Sequence, residues 1–103
     1  MCGRFSLYTD MEQMKERFDV QFVSNEEDYY PNYNIAPSQS VVAIINDGTS
    51  NRMGQLRWGL IPSWAKDEKI GYKMINARSE TVDVKPSYRN AFTQRRCIIP
   101  MNS

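Results

Sequence analysis

Residues 41–60 read VVAIINDGTSNRMGQLRWGL, and their pattern decides the fold. VVAIIN is a short β-branched strand, Asp47-Gly48 beside Thr49 supplies a turn, and NRMGQLRWGL is a second extended run, so the simplest reading is a hairpin. Toward the N-terminus, CGRFSLY (residues 2–8) alternates polar and apolar side chains and puts Phe5 and Leu7 on one face of a first strand. Thr9 and Glu12 have the spacing of a capping box, and Met11, Met14 and Phe18 then recur at helical spacing through DMEQMKERFDV. SNEEDYYPNY is acidic, aromatic and broken by Pro31, which predicts a loop leading into NIAPSQ.

Beyond the hairpin, IPSWAKDEKIGYKMINARSETV contains Pro62 and the charged run KDEK, which predict a loop, with KMINAR as a short strand ending in a polar turn. PSYRNAFTQRR begins with Pro86 at a tolerated first-turn position and predicts a helix with Tyr88, Ala91 and Phe92 on one face and a basic far side. RCIIP reads as a buried strand entering the core. Antiparallel strands with flanking helices give an α+β class.

At 103 residues the chain is expected to form one domain, residues 1–103, with a single core. Its 41% apolar and 24% charged content is that of an ordinary globular protein and excludes fibrous or disordered classes. No apolar run approaches the ~20 residues needed to span a bilayer, and no signal-peptide pattern opens the chain, so the expectation is a cytoplasmic protein without a membrane partner. In a reducing cytosol Cys2 and Cys97 are expected as separate thiols. With no histidine and no clustered cysteines, neither a metal nor another cofactor is expected. Net charge is +1, yet through Ser50 there are 3 Lys/Arg against 8 Asp/Glu, and from Asn51 onward 10 against 4. A basic half is either a nucleic-acid or phosphate surface or one of two halves attracting each other across the fold.

Cys2 is the most reactive candidate. If Met1 is removed, Cys2 presents an α-amine and a thiol on adjacent carbons. The amine, with a pKa near 7.7 to 8.0, is about one-tenth neutral at pH 7, far more than a lysine. It can attack an aldehyde, and the thiol can then close on the same carbon to give a five-membered thiazolidine. Arg4 would favour the thiolate if its side chain comes near; the competing reading makes Cys2 a small buried apolar residue. In NARSE, Asn76, Arg78 and Glu80 share one face if extended, a phosphate clamp or a surface turn. Asn34, just before Ile35, Ala36 and Pro37, holds either a turn or a ligand. Trp58 and Trp64 lie in a segment with Arg57 and Lys66, and read either as core residues or as stacking platforms for a single strand.

MCGRF, YNIAPSQ, RWGLIPSWAKD, INARSET and AF..RRCIIP, in this order, resemble the SOS-response-associated peptidase (SRAP) family over nearly the whole chain. The resemblance implies a protein that binds single-stranded DNA and captures abasic sites as a covalent thiazolidine at Cys2, with a proposed peptidase activity that removes Met1. Carried over residue by residue, it makes Cys2 the nucleophile and places Arg4, Asn34, Asn76 and Arg78 in the DNA site. Arg78 would grip phosphate, Asn34 and Asn76 would orient cysteine and sugar, and Trp64 would act as an apolar wedge near the lesion.

The family pattern continues into an aromatic-Glu-Trp motif and a His-x-Arg segment, whereas this chain reads Pro100, Met101, Asn102, Ser103 at its end. The expectation is therefore the N-terminal portion of an SRAP-type β-barrel-like fold, without those two acid-base groups, whose help is typically worth about 10²- to 10⁴-fold. Unpaired edges would offer a route to self-association. Two other functions fit parts of the pattern: a remnant that binds DNA without chemistry, and an N-terminal-nucleophile amidohydrolase, since class II glutamine amidotransferases also begin Met-Cys-Gly.

Overall fold

A computed structural model describes residues 3–103; Met1 and Cys2 lie outside the described residues. In chain order the strands are β1 (Phe5–Leu7), β2 (Phe22–Val23), β3 (Asn32–Ile35), β4 (Ser40–Asn46) and β5 (Asn51–Arg57), and the helices are α1 (Met11–Arg17) and α2 (Arg89–Gln94). Short 3₁₀ turns occupy Glu26–Asp28 and Glu68–Tyr72. The expected α+β class holds.

The predicted hairpin is β4–β5, in antiparallel register from Ser40 opposite Arg57 to Asn46 opposite Asn51. Its turn is built by Asp47, whose Oδ1 accepts from the backbone N–H groups of Thr49 (2.9 Å) and Ser50 (2.8 Å), while Oδ2 accepts from Arg52 Nε. Those donors, Arg52 foremost, hold the Asp47 carboxyl well below the usual carboxylate range. Val41, Val42, Ala43 and Ile44 are buried in succession, so β4 is covered on both faces, whereas only Met53 of β5 is buried. The strand set is not purely antiparallel: β2 runs parallel to β5, pairing Phe22 with Arg52 and Val23 with Met53.

β1 pairs antiparallel with β3, with a bulge between Phe5 and Leu7. Thus the stretch expected as a loop, SNEEDYYPNY, ends in the first half of a strand, Asn32 and Tyr33, which is defined by its distant partner β1. Phe5, Leu7, Ile35, Met14, Val41, Val42, Ile44 and Met53 make one core, with Trp58, Phe18 and Ile99 packed on it. Helix α1 buries Met14 as its spacing predicted, but its cap is Asp10, which accepts from Gln13 N at 2.8 Å. Thr9, expected as the cap, accepts instead from Asn102 Nδ2 (2.8 Å).

RCIIP is not a buried strand. Only Ile98 bridges β4, exchanging hydrogen bonds of 2.9 Å in both directions with Ile44, and its side chain is exposed. The chain then crosses to β1, where Ser6 N donates to Ser103 O (2.7 Å) and Asn102 N donates to Ser6 O (2.8 Å). Asn102 Oδ1 also accepts from Tyr8 N (2.8 Å). Residues 98–103 therefore stitch the β1–β3 pair to the β4–β5–β2 sheet. The order β3, β1, 102–103, then 98, β4, β5, β2 does not close into a barrel among the described residues, so the expected barrel-like fold is open here.

Helix α2 starts later than expected. Pro86 sits in a preceding turn, closed by Tyr88 N to Lys85 O (3.0 Å) and Arg89 N to Lys85 O (2.9 Å), and the helix proper begins at Arg89. Its half-buried face is Tyr88, Ala91 and Phe92, as the spacing predicted. Among the described residues, no helix is long and apolar enough to cross a membrane.

Tyr29 locks the loop before β3 to the β1–α1 junction, its hydroxyl donating to Thr9 O at 2.6 Å. Burial, and then the charges of Asp10 and Tyr33, push its pKa above the ordinary tyrosine value. The fold thus favours the protonated phenol, a contribution complete below the unfolded-state pKa of about 10 and lost as pH rises through the folded-state value. Urea unfolding at a series of alkaline pH values is expected to show stability falling above pH ~10, with the fall reduced in Tyr29→Phe.

Candidate functional site

The end of β5 builds one wall of the site. Trp58 lies against Phe5 with ring centroids 5.5 Å apart and donates from Nε1 to Ile75 O at 3.1 Å. The next residue, Gly59, has φ +143°, a conformation disfavoured for any side chain. A Cβ there would collide with the Gly71 carbonyl oxygen and lie 3.1 Å from its carbon, so the backbones of 59 and 71 approach as only glycine permits. Leu60 N donates to Met74 O (2.9 Å), completing the attachment of residues 71–76 to the hairpin.

This attachment explains why KMINAR is not a strand. Met74 N donates to Ile70 O (3.2 Å), and the carbonyls of Ile75 and Asn76 are taken by Trp58 Nε1 and Tyr88 Oη (3.0 Å), not by a neighbouring strand. Asn76 is consequently fixed from both sides, by β5 and by the turn before α2. Beyond it the backbone folds into turns, Thr81 N donating to Arg78 O (3.2 Å).

Two concavities meet at Asn76 and Ala77. One is an apolar cavity of about 360 Å³ that includes Phe5, Leu56, Trp58, Met74, Cys97 and Met101. The other is a polar hollow of about 950 Å³ that includes Lys73, Arg78, Glu80 and Lys85. Burial pushes the Cys97 thiol up, so it stays protonated and a poor nucleophile at neutral pH.

The residues singled out from the sequence fall into three groups. Arg4 and Asn34 are joined across β1 and β3, with Arg4 Nη1 donating to Asn34 Oδ1 at 3.2 Å, and Asn34 N is itself held by Asn32 Oδ1 (2.8 Å). Asn76 and Arg78 share the polar hollow. Trp64 is presented on a tight turn, Ala65 N to Pro62 O (3.0 Å), with 62% of its surface exposed, whereas Trp58 packs on the core. Cys2 lies outside the described residues, two positions before Arg4. Contacts run from β1 to Asn76 through Phe5, Trp58 and Ile75, so the first two groups are mechanically connected.

The sequence reading passed over Tyr88, taken as a helix-face residue, and the cations Lys73 and Lys85. The signal for the wall was Gly59 at the end of an extended run, a mark of close backbone approach. Among the described residues, no group of three His, Cys, Asp or Glu is placed to hold a metal ion.

These features define an α+β domain of two small sheets joined through residues 98–103, with a cationic hollow beside the end of β5. The model of the SOS response associated peptidase (SRAP) family matches residues 1–103, and the chain belongs to that family. It is 57% identical over 103 residues to the abasic site processing protein YoqW of Bacillus subtilis (strain 168), covering all of this chain and 46% of that protein. It is 55% identical to YobE of the same organism, also called an abasic site processing protein, again over all of this chain and 47% of that one. The abasic site processing protein HMCES of Xenopus tropicalis is 31% identical over 83 residues, 69% of this chain and 25% of that protein. A crystal structure of a protein from Bordetella bronchiseptica superimposes with a TM-score of 0.73 at 26% identity, covering 97% of this chain and 48% of that one. The chain thus spans about half the length of the Bacillus relatives it matches.

The wall geometry makes Gly59 the most sensitive glycine. Gly59→Ala is expected to lower stability by at least about 2 kcal/mol, combining backbone strain with the collision at Gly71. Gly48→Ala in the hairpin turn (φ +101°), where a Cβ meets nothing within 4 Å, is expected to lose only about 1 kcal/mol. Equilibrium urea unfolding of both variants checks the difference.

Proposed function

We propose that this chain captures abasic sites in single-stranded DNA by forming a thiazolidine between their aldehyde and Cys2, after removal of Met1. The observation that carries the reading is the link between the two motif groups. The strand following Cys2 and Arg4 is braced, through Phe5 and Trp58, against the loop that bears Asn76 and Arg78. The relatives' shared designation as abasic site processing proteins supports the same substrate.

The α-amine nitrogen attacks the aldehyde carbon, and loss of one water gives an imine. The thiol sulfur then adds to that carbon while its proton passes to nitrogen, so the net loss is a single water. About one-tenth of the amine is neutral at pH 7, enough to start the reaction without burial. Arg4 occupies the Asn34 carbonyl oxygen, which leaves the Asn34 amide N–H groups as donors toward the sugar or the thiol. Asn76, whose backbone is fixed on both sides, supplies a second oriented amide, and Arg78 contacts a flanking phosphate. An abasic site offers no base to stack, and the exposed Trp64 ring fills that gap. Met1 removal is the peptidase step in this scheme, and the work is done in the cytoplasm, on the nucleoid if the source is bacterial.

Single-stranded DNA bearing one abasic site, incubated with the protein, is expected to yield a heat-stable adduct on a denaturing gel. Cys2→Ala should give none, Cys97→Ala should react like wild type, and Asn76→Ala should react about ten- to a hundredfold more slowly. No adduct from wild type, or an equal yield from Cys2→Ala, sinks the proposal. Salt-sensitive DNA binding without any adduct would then identify a binder without chemistry.

A further inference from the structure

The apolar cavity beside Asn76 belongs to a wider face that is left uncovered among the described residues. We infer that this face docks a separate polypeptide equivalent to the half of the Bacillus relatives that lies outside their match to this chain. The inference is independent of the crosslinking chemistry.

The face is apolar because of where the core stops. The buried hydrophobic residues lie between Phe5 and Met53. Among the described residues from Leu60 to Cys97, only Pro62 and Gly71 are buried, although this segment carries Ile61, Trp64, Tyr72 and Val84, all exposed. Where the segment meets the sheet, two concavities of about 360 and 330 Å³ adjoin at Cys97, which lines both. Leu56 and Met101 line the first and Ile45 and Ile98 the second, and these four side chains are between 43% and 53% exposed. A single exposed leucine needs no explanation, but four such residues around two adjoining hollows make a patch of the kind that marks an interaction site.

The dimensions of the chain give the size of what is uncovered. It exposes 7574 Å², whereas a folded monomer of 12.0 kDa is expected to expose about 6,000 Å². Its radius of gyration is 14.3 Å, against about 13 Å for a compact chain of this length. The excess surface, roughly 1,600 Å², is about twice what one partner contributes to a standard interface and falls within the range of an obligate one.

The relatives identify the occupant. YoqW matches along all 103 residues, which correspond to only 46% of it. The Bordetella structure superimposes over 97% of this chain and holds about as much protein again outside the superposition. In such a protein the remaining half has this face to cover, and its complementary shape does not require a covalent link. A second copy of this chain would instead meet the face with an identical one, hollow against hollow, where close packing is poor.

The test refolds the 103-residue protein together with the part of YoqW outside the match, by joint dilution from urea. Light scattering gives the mass of the product, and titration with a fluorescent label on the 103-residue protein gives the affinity. A complex of one chain of each is expected, with the 103-residue protein alone remaining at 12.0 kDa. Leu56→Glu with Met101→Glu should weaken the complex at least about 100-fold, because both carboxylates would lose their water in the interface. Phe22→Ser, at the opposite edge of the β4–β5–β2 sheet, should bind like wild type, and the unfolding midpoints of the free variants should match that of wild type.

Absence of the complex, or equal affinity in the Glu variant, overturns the inference. So does a dimer of the 103-residue protein that the same two Glu substitutions dissociate, which would give the face to a second copy. No DNA enters the measurement, so its outcome stands apart from that of the adduct assay.

Discussion

The hydrogen bond from the Trp58 indole to the Ile75 carbonyl, beside the close approach of Gly59 to Gly71, is the constraint on which the rest of the site depends. A lone neutral hydrogen bond contributes about 1 kcal/mol, too little to order a long irregular segment. Here it acts with a second backbone bond from Leu60 and with the packing of the Trp58 ring on Phe5. The same indole thereby packs on the first strand and hydrogen-bonds to the loop. Moving it would shift Asn76 relative to Arg4.

What was legible in the sequence was whatever rests on local periodicity. The hairpin has a turn sequence and two flanking runs that need no distant partner, and α1 has its stripe ending in Phe18. The strand β3 was hidden because NYNI carries two asparagines and a tyrosine, all exposed, and becomes a strand only by pairing with β1. KMINAR misled for the converse reason. Its apolar residues suit a strand, but its carbonyls are captured by an indole and a phenol from elsewhere in the chain.

The site was readable as residue types more than as geometry. Asn76 and Arg78 lie two positions apart, and their shared hollow follows from that spacing. The pairing of Arg4 with Asn34 spans 30 residues and has no periodic signature; only the motif resemblance joined them beforehand. Lys73 and Lys85 looked like ordinary surface charges, because a shared destination for two lysines twelve positions apart is a property of the turns between them. The excess of cations in the second half was visible, and part of it converges on one hollow instead of spreading over a face.

The docking of residues 102–103 on β1 has a consequence in time. Ser6 waits for Ser103, 97 positions later, to complete its hydrogen bonds. At synthesis rates of about 5–20 residues per second, roughly 5 to 20 seconds separate the emergence of these two residues. Through that interval β1 lacks its final neighbour. The β1–β3 pair can therefore form before the segment that joins it to the β4–β5–β2 sheet exists, and the order of synthesis itself separates the two parts of the core in time.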